Sequence, residues 1–238
     1  MMNYADDTIQ SYVSSWWIED KTRDYRRGRL IKAYLPHVHQ VPFTLIPEGR
    51  GQDPTDHTKI RYTMKELKLL EKRDLSTLPA SALVIPEGER ILAFRGKKRP
   101  ALIISTGGEE IPKNLKKGKP AWQTAPTVLV VPYYGVEQNQ KRAGFNGEFI
   151  ERVKKAEYPN FYWEKLPIPG DGGKGSICRL DHILPLGKHH DSIEFTEYCL
   201  SDMAMEIISQ WLRWVIEKFE PDGDLQYLRE GLIKIQEI

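Results

Sequence analysis

Arg179 and Asp181 stand two residues apart in an otherwise apolar run, SICRLDHILPL, from Ser176 to Leu186. In a strand alternate side chains share a face, so Ile177, Arg179, Asp181 and Ile183 are expected on one side and Cys178, Leu180, His182 and Leu184 on the other. Cα atoms two apart along a strand are separated by about 6.5 Å, which lets one phosphate lie between or beside the cation and the carboxylate. A carboxylate within hydrogen-bond reach can take a proton from a hydroxyl, and a guanidinium fork can hold charge on phosphate oxygens. The same spacing also describes a solvated ion pair on an exposed strand, and alternation by itself favours that plainer reading.

Other residues with chemistry to offer are more scattered. Tyr133, Tyr134, Phe161, Tyr162 and Trp163 have the flat faces on which unpaired bases stack, though aromatics in a β-rich domain mostly fill the interior. His37 with His39, and His189 with His190, lack an accompanying carboxylate or cysteine at a ligand spacing, so no metal and no cofactor is expected. GDGGKG, Gly170 to Gly175, lacks the Walker spacing and precedes a strand where a phosphate loop requires a helix. Cys178 and Cys199 are too few for a disulfide framework.

The elements that must position Arg179 and Asp181 follow from punctuation and periodicity. ILAF, PALIIS and TVLVVPYY are short β-rich runs bounded by Gly, Pro or basic clusters, the pattern of strands in a small barrel, with RGKKRP read as a tight basic turn between the first two. Ala204, Ile207, Ile208, Trp211, Val215 and Phe219 form one apolar helical stripe, with Ser201 and Asp202 as N-cap candidates and a stop before Pro221 and Gly223. QYLREGLIKI predicts a shorter closing helix. Near the start, Ile9, Tyr12, Val13, Trp16 and Trp17 recur at helical spacing behind Asp6 and Asp7, predicting an amphipathic opening helix. Between Gly28 and Glu89, prolines cut the chain into pieces suited to short strands and extended connections.

The 238 residues suffice for one large domain, or for a compact domain with a substantial extension. Apolar residues make up 40% and charged residues 29%, an ordinary globular composition. A formal net charge of +2 argues against bulk electrostatic binding of duplex DNA, yet is compatible with a local basic groove for single-stranded nucleic acid. The opening MMNYADDTIQ has no basic segment followed by an apolar one, and no window is apolar enough to span a bilayer, so a cytoplasmic location without membrane contact is expected.

Three segments in order, RPALIIS at Arg99 to Ser105, VLVVP at Val128 to Pro132 and GSICRLDHI at Gly175 to Ile183, together resemble the PemK/MazF/Kid family of toxin ribonucleases. The terminal amphipathic helix falls where that family has one, and the likeness spans residues 85–219. It implies a mainly β fold with helices (α+β): an SH3-like small β-barrel of the MazF/PemK/CcdB type over 83–238, with an irregular N-terminal extension over 1–82 packing on it. It further implies a homodimer that cleaves single-stranded RNA without metal through the RNA's own 2′-hydroxyl, neutralised by an antitoxin. Carried over by position, Asp181 matches the family's general base, Arg179 its cationic partner, and Arg99 an arginine at the scissile phosphate. Tyr134 and Gly135 stand where the family usually has Thr and another small polar residue. The first turn is shorter than usual, leaving Arg95, Lys97 and Lys98 as phosphate contacts, with Lys141 and Arg142 in the polar passage after the third strand. A catalytically degenerate or CcdB-like binding protein on the same barrel is the alternative, since one fold hosts both.

Overall fold

The computed structural model describes residues 4, 7–50, 60–68, 89–139, 144–168, 175–188 and 193–234. The chain divides into two compact units, 35–97 and the remainder (1–34 with 98–238). Its strands are β1 (Trp17–Glu19), β2 (Arg29–Pro36), β3 (Phe43–Arg50), β4 (Ile60–Glu66), β5 (Ile91–Ala93), β6 (Gly96–Ser105), β7 (Thr127–Gly135), β8 (Phe161–Lys165), β9 (Gly175–Arg179), β10 (Leu184–Gly187) and β11 (Ile193–Leu200). The helices are α1 (Lys113–Lys116), α2 (Ala121–Thr124), α3 (Gly147–Lys154), α4 (Asp202–Glu217) and α5 (Asp224–Lys234). The fold is thus mainly β with helices.

In the larger unit a curled antiparallel sheet runs in the order β1-β11-β2-β6-β7-β9-β8, with β10 also on β7. Its central strands are apolar because both faces are covered: Ala101 to Ile104 of β6 are all buried, as are Val130, Val131 and Tyr133 of β7. On one face lie Leu30, Leu102, Val131, Tyr133, Tyr162, Cys178 and Leu180, packed with Ala204, Ile207, Ile208, Trp211 and Leu212 of α4. Ser201 caps α4 by accepting a hydrogen bond from the Ala204 N–H at 3.2 Å, and Lys218 closes it in the left-handed region. The expected stripe therefore forms, except that Phe219 lies past the helix end and is half exposed. On the other face α3 covers Trp163 and Ile177 with Val153, Phe149 and Ile150, a smaller cluster that closes over the end of β8 and β9.

Two local expectations differ. The opening segment is a 3-10 turn, Ile9–Tyr12, followed by β1, not one helix. Ile9, Val13 and Trp16 are buried as their spacing implied, but Val13 is extended and Trp17 pairs with Leu200 of β11, so sheet pairing takes the backbone bonds a helix would have used. ILAF does not precede PALIIS as its hairpin partner. β5 pairs with β3 in a three-stranded sheet, β4-β3-β5, of the 35–97 unit. RGKKRP is accordingly no turn, since β6 already begins at Gly96.

Candidate functional site

Pro132 shapes the site. Because it has no N–H, its pairing with Ala101 of β6 must be of the non-hydrogen-bonded kind, which turns its own backbone edge toward β9 and β10. There the ladder breaks. Between the Tyr133–Cys178 and Val130–Leu184 pairs, β7 has two residues and the opposing chain has five, 179–183, so three residues loop out. They form a turn closed by the His182 N–H donating to the Arg179 carbonyl at 3.0 Å. Leu180 pins it, wholly buried in the core, with its N–H on the Asn160 carbonyl at 2.9 Å.

This turn, and not strand alternation, brings Arg179 and Asp181 together. The Arg179 guanidinium grips the carboxylate in a fork, Nε to Oδ1 at 2.8 Å and Nη2 to Oδ2 at 2.6 Å. Both side chains retain about a quarter of their exposure, 25% and 29%. Arg179 pairs across the ladder with Phe161, and its guanidinium carbon lies 4.7 Å from that ring's centre. Burial pushes the Asp181 carboxyl up, but the hydrogen bond and charge of Arg179, together with His182, outweigh it and hold the group below its ordinary 3.8.

A second arginine–aromatic pair stands on the same sheet face. The β6–β7 register, continued one step past Ala101 and Pro132 on that face, sets Arg99 opposite Tyr134, and the Arg99 guanidinium carbon is 4.4 Å from the tyrosine ring centre. Burial lowers the Arg99 pKa from its ordinary value, while the tyrosine pulls the other way. Burial also raises the Tyr134 phenol, against the opposing charges of Arg99 and Arg179, so the hydroxyl stays protonated.

His182 joins the two pairs. Its Nδ1 is 2.9 Å from the Tyr134 hydroxyl, and its Nε2 is 3.9 Å from Asp181 Oδ2. Alternation had put this histidine on the opposite side from Arg179. Leaving the ladder at the turn reverses that, and nothing within the run announces it, because the register that sets these residues opposite Pro132 is tertiary. The result is a continuous patch, Arg99, Tyr134, His182, Asp181, Arg179 and Phe161, spanning β6, β7, β9 and β8. It offers two cations on aromatic faces, one carboxylate, one imidazole and one phenol, a set suited to binding a phosphodiester and moving a proton beside it.

The remaining candidates lie elsewhere. Gly135 ends the β7–β9 ladder opposite Ser176. Lys98, adjacent to Arg99 in β6, points to the other face and is ion-paired with Glu194, which also binds Lys32 at 3.2 Å. Arg95 and Lys97 are exposed residues of the 35–97 unit. Lys141 and Arg142 fall outside the described residues, as do His189 and His190. The His37 and His39 rings meet edge to face. Among the described residues no group of three or more His, Cys, Asp or Glu is placed to hold a metal ion, and no helix is long and apolar enough to cross a membrane. No protein-family model, curated protein or solved structure matches the chain.

Proposed function

We propose that the chain is a metal-independent endoribonuclease acting on single-stranded RNA, built on an SH3-like barrel of the PemK/MazF type that its motifs resemble. The observation that carries this reading is the meeting of Arg99, Arg179 and Asp181, drawn from segments far apart in sequence, around Tyr134 on one sheet face. Arg99 and Arg179 act as stabilisers of charge on the pentacoordinate phosphate, a role suited to guanidinium, which stays charged and presents several donors. Asp181 supplies the carboxylate. Tyr134 puts a hydroxyl where the family has a smaller one, with Phe161 as a flanking face for a base. Cleavage by 2′-hydroxyl attack leaves a 2′,3′-cyclic phosphate and a 5′-hydroxyl. A neutralising antitoxin would occupy the same patch, and a homodimer is the expected assembly.

A binding module on the same fold is the second reading. It is favoured by the Arg179–Asp181 fork, which spends on an internal pair the donors a phosphate would need. Incubating the purified protein with mixed-sequence RNA in EDTA separates the two. Cleavage by the wild type that is lost in Asp181→Ala and Arg179→Ala supports the enzyme; binding without cleavage supports the module. Cleavage undiminished in both variants removes the site assignment.

A further inference from the structure

We propose that Trp211, midway along α4, is a positioning residue for the Arg179–Asp181 fork, acting through the backbone of Pro159 and Asn160 and the Leu180 amide. Its effect on rate rests on the ribonuclease reading. The fork stands on a turn, and a turn keeps its place only through the bonds that hold its backbone. Leu180, the residue between the two members of the fork, donates its N–H to the Asn160 carbonyl at 2.9 Å. One residue earlier, the Pro159 carbonyl accepts a hydrogen bond from the Trp211 indole Nε1–H, also at 2.9 Å. Two hydrogen bonds and one residue of backbone therefore join α4 to the centre of the turn.

The indole meets the same segment a second time. Its ring centre lies 5.4 Å from that of Tyr162 at an interplanar angle of 43°, and Trp211, Tyr162 and Leu180 share one buried cluster. Because Tyr162 pairs with Cys178 and Phe161 with Arg179, Trp211 grips the chain on both sides of the residue that faces the fork. The start of the segment is fixed separately, from α5. Ala156 is in the left-handed region at φ +55°, and its carbonyl accepts from Arg229 Nε at 2.8 Å, while the Arg229 guanidinium carbon lies 4.2 Å from the Trp214 ring centre. With Ala156 held from α5 and Pro159 from α4, the two helices set where the Asn160 carbonyl meets Leu180. Removing the indole N–H frees the Pro159 peptide to rotate, and the Asn160 carbonyl moves with it. A guanidinium stabilises phosphate charge only from the right place, and a shift of about 1 Å costs up to about 10²-fold in rate.

Two variants remove the N–H: Trp211→Phe, and an isosteric benzothienyl side chain in place of the Trp211 indole, which keeps the volume and loses only the donor. Leu212→Ala is the control, since it trims a buried neighbour on the same helix that has no polar group to offer. RNA cleavage in EDTA gives kcat and KM, a thermal melt gives Tm, and NMR gives the exchange rate of the Arg179 Nε–H, identified by its loss in Arg179→Lys. Both Trp211 variants are expected to lower kcat by about 10–10²-fold with KM within about twofold of the wild type. They should also speed Arg179 Nε–H exchange by about 10-fold or more, because the fork opens more often. Leu212→Ala should lower Tm while leaving kcat and exchange near the wild type. Unchanged exchange in the isosteric variant, an unchanged kcat in a cleaving enzyme, or the same effects from Leu212→Ala overturns the positioning role and leaves the ribonuclease reading intact. Absence of wild-type cleavage removes the ribonuclease reading, and the exchange comparison then decides the positioning role by itself.

Discussion

Glu164 is wholly buried on the core face of β8, and replacing it with glutamine should make the protein more stable as pH rises. Burial drives its carboxyl from the ordinary 4.5 up to about 8, against the pull of the Tyr4 hydroxyl, which donates to Oε1 at 2.7 Å, and of the Trp17 and Trp16 indoles. Below pH 4.5 both folded and unfolded chains hold the proton. Between 4.5 and 8 only the folded chain does, so folding takes up a proton and stability falls as pH rises across that window. The full gap corresponds to about 5 kcal/mol, and the part expressed between pH 5 and pH 7 to about 2.5 kcal/mol. Glu164→Gln keeps the shape and an acceptor for Tyr4 but has no proton to lose. Urea unfolding of both proteins at pH 5, 6, 7 and 8 measures the difference. The variant should gain on the wild type by about 2.5 kcal/mol from pH 5 to pH 7. Parallel stability profiles would refute the reasoning, because they would mean that the folded protein carries Glu164 ionised.

Three further outcomes test other parts of the structure. Arg179→Lys keeps the charge but loses the two-point grip on Asp181 and the flat contact with Phe161, so RNA cleavage should fall by about 10²-fold while stability changes by about 1 kcal/mol or less, read by gel assay and urea melt. Ser201→Ala removes the acceptor for the Ala204 N–H at the start of α4 and should cost about 1 kcal/mol in unfolding free energy without altering cleavage. Gly107→Ala places a methyl group on a residue at φ +85° whose Cβ would stand 2.4 Å from the Thr127 carbonyl, so it should destabilise the β6–β7 connection by at least about 1–2 kcal/mol, seen as a lowered Tm.

Much of the framework was readable from local pattern. The α4 stripe at 3.6-residue spacing and its Ser201 cap needed no tertiary information, because one face of a helix must find a core whatever that core is. PALIIS and TVLVVPYY were readable as strands because a sheet covered on both sides demands continuous apolar runs. Partner choice was less accessible. Nothing within ILAF distinguishes a hairpin with the next strand from pairing with β3, and nothing in the Trp16–Trp17 spacing announces that β11 offers an edge to pair with. Both depend on residues far along the chain.

The site divides the same way. That Arg179 and Asp181 stand two residues apart, and that Arg99 belongs to an earlier β-rich run, was determined by the sequence; that β7 lies between the Arg99 strand and β9 was not. Tertiary structure decided the rest. Pro132, presenting an edge without a donor, breaks the ladder and makes three residues leave it, so that His182 crosses to the face where Tyr134 and Asp181 stand. Alternation holds only as long as both strands can supply the bonds that enforce it.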